Sequence, residues 1–524
     1  MGGYQMKIER ILIEDQMAPI GLDEKKPAFS WLLTAEEGEQ NLMQSACRIV
    51  VRTGEDTVWD SGKMETGVST GIGYEGEALQ PCTKYEVKAE VWDNHGGKAE
   101  AESSFETGLM DSLYAAWEGA KWIGAPHATV CAENRGVFTI ESEFRMEGGK
   151  GETGIVFGAN DFRLNDHTKN EFGMEGENYI RYAVCLEDGD ARLEIYRVGY
   201  APEDTAEKPF AVTKLVNWKE KTQEILTPEN ADAFHKLTVE VDGNVAYAYV
   251  DGILVDAIEE HGFFGTKVSG RQLNPRGNND VLPYPRLNEI GFYAGKGTTG
   301  YFKNLTVRNV RKPSAEIVRE TPEGRLDGGK SIFADQIPVE NGYFKVEDSQ
   351  ITADPSHHSI PMLRSCISCQ KEKKLASARL YITARGIYDC RINGQEITED
   401  LLRPGLTQYD HRINYQTYDI TGLMKPGRNG IGVTLASGWW SEAQTFVVKN
   451  FNYFGDKESL LAKVVMKYKD GSREVFGTNT EDWKYFGEGP YLFSSYFAGE
   501  QYDARRAEVY AVSYTHLRAH ETSA

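Results

Sequence analysis

Two short constellations in this chain carry the residue types of metal or redox chemistry. Cys366-Ile-Ser-Cys369 has the spacing of a thiol–disulfide or zinc pair. His357-His358 sets two imidazoles side by side in a loop that also carries Pro355 and Ser356. Neither comes with the partners that such chemistry needs. No second Cys/His pair accompanies the cysteines, and residues i and i+3 of a strand face opposite sides. The cysteines therefore read as ordinary strand residues and the histidines as part of an exposed loop. A glycine-rich phosphate loop, HExxH and GxSxG are all missing from the sequence.

The elements that would have to position any site are strands. A chain of 524 residues is too long for one core. Its 53 Gly, 27 Tyr and 22 Phe lean towards turn-rich β architecture. A formal net charge of −21 argues against nucleic acid or an anionic membrane as partner. There is no run of about 18 apolar residues to span a bilayer. The first residues lack a basic stretch followed by an apolar one, and the seven scattered cysteines suit a reducing compartment, so the expected location is cytoplasmic.

Residues 1–109 read as short strands and turns, a fibronectin type III-like sandwich with Trp31, Trp59 and Trp92 packed in its core rather than forming a sugar platform. A connector, 110–133, precedes a second all-β unit over 134–310. Its strongest signal is LTVEVDGNVAYAYVDGILV. Leu237, Val239 and Val241 alternate, Asp242-Gly243 turns, Val245, Tyr247 and Tyr249 alternate back, and Asp251-Gly252 turns again. Residues 311–343 are polar enough to read as a linker, and a third sandwich is expected over 344–505. There Ala378–Ile382 and Tyr388–Ile392 alternate with period two, and Asn393-Gly394 supplies the two positive-φ residues of a tight hairpin.

The third unit continues with INGxxI, LxPGxTxYxxRxxYxTYDxT, a Gly-x-Asn turn and GWW, ending at GPYLFSSYFAGEQYDAR. In this order the motifs resemble the N-terminal β-sandwich domain of bacterial α-L-rhamnosidases of glycoside hydrolase family 78. PIGLD, PAFSW, VWDSGK, YEGEAL, TKYEVKAEVWD and FETGL resemble the first domain of the same family. The middle unit is similar to concanavalin-like jelly rolls, without the ExDxxE carboxylate strand of their catalytic versions. The implied fold is all-β, three β-sandwich domains, with the family's (α/α)₆ catalytic barrel absent from this chain. What the resemblance implies in function is inverting hydrolysis of terminal α-L-rhamnose, a rhamnose-containing glycoside or polysaccharide being the partner.

Inversion needs one carboxylic acid and one carboxylate that activates water. In the family these lie on helices, and no long helical periodicity occurs here, so no catalytic residue is assigned and the chain is expected to be inactive alone. The rival reading is a non-catalytic carbohydrate-binding or adhesion protein. Related sandwiches also imply a sugar site that requires no cofactor beyond a possible calcium ion, and the candidates are Asn393, Asp410, Trp439 and Trp440. Amide and carboxylate oxygens suit a hard cation and sugar hydroxyls, and an indole suits a sugar face. Asn393 is equally explained by its turn and Trp439 by packing. Family resemblance fades by Tyr510. The sequence SYTHLRAHET within 512–524 resembles the translation of a sequencing-library adapter, so the natural reading frame is expected to diverge near Val512.

Overall fold

Strand formation follows the alternation of apolar residues, and it gives three successive β-sandwich units. The computed structural model describes residues 6–35, 41–161, 164, 178–216, 224–242, 245–257, 267–275, 285–310, 312–442, 452–497 and 499–507. The tail at 512–524 lies outside the described residues. The described helices are single turns, and none of them is long and apolar enough to cross a membrane.

In the first unit a three-stranded sheet (Met6–Ile13, Ala28–Ala35, Ile72–Gly73) faces a five-stranded one built on Gln44–Thr53, Lys84–Asp93 and Lys98–Thr107. Alternation sends Val87, Ala89 and Val91 inward against Phe29, Trp31 and Phe105. Trp31 is buried and donates its indole N–H to Gln44 Oε1 (2.9 Å), and Trp59 stacks on Phe29 at 5.8 Å. Trp92 departs from the expected core position. As the neighbour of inward-facing Val91 it points outward, with the Lys63 and Lys98 ammonium groups 5.0 and 5.4 Å from its ring.

The second unit wraps one continuous ladder of strands around an aromatic core that includes Phe138, Phe144, Phe157, Tyr182, Phe292 and Phe302. Its spine is Glu289–Phe302, 14 residues long, which pairs with Phe138–Met146, Gly151–Ala159 and Tyr343–Ala353. The hairpin of His235–Asp242 with Val245–Val250 forms as its period predicts, but with the second strand's faces exchanged. The register sets Leu237 opposite Val250 and Val239 opposite Ala248, so Ala246, Ala248 and Val250 fill the core and Tyr247 and Tyr249 lie outward. The stretch 311–343 is not a linker here. Lys312–Thr321 pairs with Leu305–Asn309, and Phe333 and Ile337 are buried in the second core. Tyr343–Ala353 likewise belongs to the second sheet rather than to the start of the third sandwich. Incoming and outgoing chains meet at a bridge in which Val130 N donates to His357 O (3.3 Å) and His357 N to Val130 O (3.1 Å).

The third unit sets a sheet ordered Gln395–Glu396, Ile387–Ile392, Gly427–Ala436, Met362–Cys369, Lys484–Phe486 against one built on Leu375–Arg385 and Ser459–Tyr468. Tyr388, Cys390 and Ile392 point inward, as do Leu380 and Ile382. Ile392 pairs with Gln395, and both turn residues have positive φ, 51° at Asn393 and 83° at Gly394. Cys366 and Cys369 lie on opposite faces of their strand, and all seven cysteines are free. The first unit docks on the outside of this sandwich. Arg379 binds the Glu106 carboxylate through both Nε (2.7 Å) and Nη2 (2.5 Å), and Tyr415 donates to Asp23 (2.6 Å).

Candidate functional site

At the end of Gly427–Ala436 the chain doubles back through one helical turn, Gly438–Ser441, which carries both candidate tryptophans. Gly438 makes this possible. Its φ is 50°, and a Cβ there would fall 2.6 Å from Ile387 Cγ1. Trp440 then lies across the Gly455 backbone, where a Cβ would meet the indole at 2.3 Å, and donates Nε1–H to Lys457 O (3.0 Å). Tyr409 (5.8 Å), Phe454 (6.3 Å, nearly parallel) and the Arg385 guanidinium (5.2 Å) surround its ring. Burial pushes the Tyr409 hydroxyl up to about 12, so it stays protonated and donates to Gly405 O (2.8 Å).

Trp439 faces the other way, against Tyr496 at 5.1 Å. Tyr496 is 51% exposed and touches Phe497, itself 41% exposed. These rings give the third sandwich an accessible aromatic edge. Asp410 is the exposed neighbour of Tyr409 in sequence, on the Trp440 side of the turn, 3.8 Å from the His411 ring.

Asn393 is elsewhere. It sits at the far end of Ile387–Ile392 from Gly438, roughly 15–20 Å away at the rise of a strand. Its amide is also fully used: Nδ2 donates to Leu423 O and Asn429 Oδ1 (both 2.9 Å), and Oδ1 accepts from Gly430 N (3.0 Å). The structure thus sets Trp439 and Trp440 on opposite sides of one helical turn, with Asp410 next in sequence to the Tyr409 that packs on Trp440, and leaves Asn393 as a turn residue locked to buried Asn429. Asn393 and Asp410 do not share a cation, and this donor set does not fit a calcium ion.

One cluster escaped the sequence reading, and a second enlarges the His357-His358 pair with residues that the reading missed. The first is a narrow, partly open polar pocket of about 30 Å³ between the second and third units, lined by Arg135, Ser437, Ser441, Glu442 and Glu458 among others. Ser437 donates to Glu458 (2.9 Å), and the Asn452 amide joins Arg135 Nη1, Asn309 Nδ2 and Ser441 O, each at 3.1 Å. Burial lowers the Arg135 guanidinium, opposed by Glu442 and Glu458. The space has room for a water but not for a sugar ring. The other cluster contains His357 and His358, which are half-buried at the junction of the units rather than in an exposed loop. No sequence signal linked the cavity residues to one another, or Asp327 and His127 to the histidine pair, because these members are far apart along the chain.

Comparison with known proteins agrees with this architecture. Residues 373–519 match the family described as Alpha-L-rhamnosidase N-terminal domain, and residues 8–111 match the Rha78A-like, N-terminal immunoglobulin domain. An alpha-L-rhamnosidase of Streptomyces avermitilis is 27% identical over 504 residues, 94% of this chain and 42% of that protein. One from Formosa agariphila is 40% identical over 132 residues, 25% of this chain and 14% of that one. The crystal structure of the Streptomyces avermitilis alpha-L-rhamnosidase complexed with L-rhamnose shares the fold, with a TM-score of 0.53 at 21% identity, covering 98% of this chain and 43% of that one. The chain therefore spans less than half the length of the curated relatives it matches.

Proposed function

We propose, from the premise that this chain belongs to the α-L-rhamnosidase family, that it supplies the β-sandwich domains of an enzyme releasing terminal α-L-rhamnose from glycosides or polysaccharides. The observation that carries this reading is the position of the two family domains, one at each side of the middle sandwich, within an alignment that runs along 94% of the chain. Inverting hydrolysis needs an acid and a base carboxyl about 6.5–9.5 Å apart across a cleft that admits sugar and water. The narrow carboxylate-lined pocket between the second and third units, at about 30 Å³, is far too small for that. Hydrolysis in this reading belongs to carboxylates outside these sandwiches. The purified chain is expected to release no product from an aryl α-L-rhamnoside above a protein-free control; measurable turnover would place the reacting pair inside it.

A second role is supported by the aromatic edge. Trp439 with Tyr496 and the half-exposed Phe497 offers an accessible set of rings for a sugar face. Calorimetry with L-rhamnose is expected to give millimolar binding that Trp439→Ala weakens roughly fivefold, the ~1 kcal/mol of one aromatic contact. Binding of equal strength in the variant would remove the edge from consideration.

A further inference from the structure

Where the chain passes into and out of the second unit, three imidazoles and a carboxylate converge. His127 lies on the incoming segment, His357 and His358 on the outgoing one, and Asp327 on the turn that follows Gly324–Arg325. One ligand atom from each of Asp327, His357 and His358 lies within 4.8 Å of the other two. The side chains are largely withdrawn from solvent, Asp327 being 5% and His358 17% exposed.

Each group is held in a state suited to coordination. Arg325 Nε (2.5 Å) and Gly329 N (2.8 Å) both donate to Asp327 Oδ1, so Oδ2 is left facing His358 Nε2 at 3.0 Å. That nitrogen is sealed from solvent and has no aligned hydrogen-bond partner among the described residues. His357 donates Nδ1–H to Pro355 O (2.6 Å), which leaves the lone pair on its Nε2. A ligand imidazole fixed by a carbonyl and a ligand carboxylate fixed by N–H donors are the outer supports of a metal site. His358 holds a φ of 62°, a conformation that a bulky residue keeps only where its surroundings enforce it. Its ring lies edge-on to His357 at 4.7 Å and stacked on His127 at 5.0 Å.

We propose that Asp327, His357 and His358 bind one divalent transition-metal ion of the zinc class, with water or a rotated His127 in the fourth position. Two imidazoles and a carboxylate suit zinc better than calcium or magnesium, which take oxygen ligands throughout. Zinc bonds of about 2.0–2.1 Å in a tetrahedron need ligand atoms roughly 3.3 Å apart. The Asp327–His358 pair is already near that spacing, and His357 closes the rest by side-chain rotation. The ion would pin the Asp327 turn to the outgoing strand and so fasten the neck of the second unit.

The test uses the full chain, stripped with a chelator and titrated with zinc chloride. Calorimetry should find one ion per chain, and the melting temperature should rise with zinc. Cobalt substitution should give the strong visible absorption of a tetrahedral site. Asp327→Asn and His358→Ala should each weaken zinc binding at least tenfold, while His411→Ala, at a 72% exposed ring outside the cluster, should leave it unchanged. An absence of stoichiometric binding, or an affinity untouched by both cluster variants, would overturn the assignment. If a variant fails to fold, the cobalt spectrum of the unsubstituted chain decides, and an octahedral spectrum overturns it.

Discussion

Asp204→Ala is expected to destabilise the second unit by about 3–5 kcal/mol, the range for leaving a buried charge without its partner. Arg197 and Asp204 are 6% and 1% exposed, with Nε donating to Oδ2 at 2.6 Å. The guanidinium also donates through Nη1 to Gln272 O and covers the Phe210 ring at 4.3 Å. Without Asp204 the guanidinium stays buried with no counter-charge beside it. Arg197→Met should therefore recover most of the loss when combined with Asp204→Ala, since the stranded charge goes with it. Urea unfolding of the single and double variants, with hydrogen exchange over 134–310, measures both effects. A single-variant loss below about 1 kcal/mol, or a double variant as weak as the sum of the singles, would show that the pair is not holding the unit.

The second large effect concerns Glu118, in the connector between the first and second units. Its carboxylate receives Arg473 through Nη1 (2.8 Å) and Nη2 (2.6 Å) and Lys463 Nζ at 2.8 Å. Lys463 is 1% exposed and otherwise donates to Ala116 O (2.6 Å). Glu118→Gln is expected to cost about 2 kcal/mol at neutral pH. This is less than for a fully buried pair, because Glu118 is itself 36% exposed. The same geometry makes the contribution pH-dependent. Arg473, then Lys463, hold the folded carboxyl at about 2 against an ordinary 4.5, so between these values the unfolded chain binds more protons. The stabilisation is complete above pH 4.5 and falls away as pH drops towards 2. Melting curves of the two proteins should converge over that window; parallel curves down to pH 2 would contradict the assignment.

Much of the fold was legible because period-two alternation and paired turn residues are local. Asn393-Gly394 marks its hairpin, and Tyr388, Cys390 and Ile392 face the core, by rules that need only a few neighbouring residues. The same rules do not say which face of a strand turns inward. At Val245–Val250 two alanines and a valine took the core and the tyrosines were turned out, because the partner strand's register decides. Trp92 followed the same logic. The polar composition of 311–343 concealed a strand whose apolar residues are few but aimed inward. Of the sugar-site candidates, Trp439 and Trp440 could be named from GWW, but not Tyr496 or Phe454, which the fold brings to them from later segments. His127 and Asp327 were invisible for the same reason.

The bridge between Val130 and His357 has a consequence for how this chain can change. Joining two ends that are already hydrogen-bonded asks little of the host's backbone, though the host would also lose the Arg135 and Asn309 contacts to Asn452. To the backbone of the sandwiches on either side, everything between those two residues enters and leaves like the loop of a hairpin. The middle unit is thus a cassette. It could be exchanged, trimmed or lost over generations while the host kept its own contacts, such as Arg379 with Glu106, which do not pass through it.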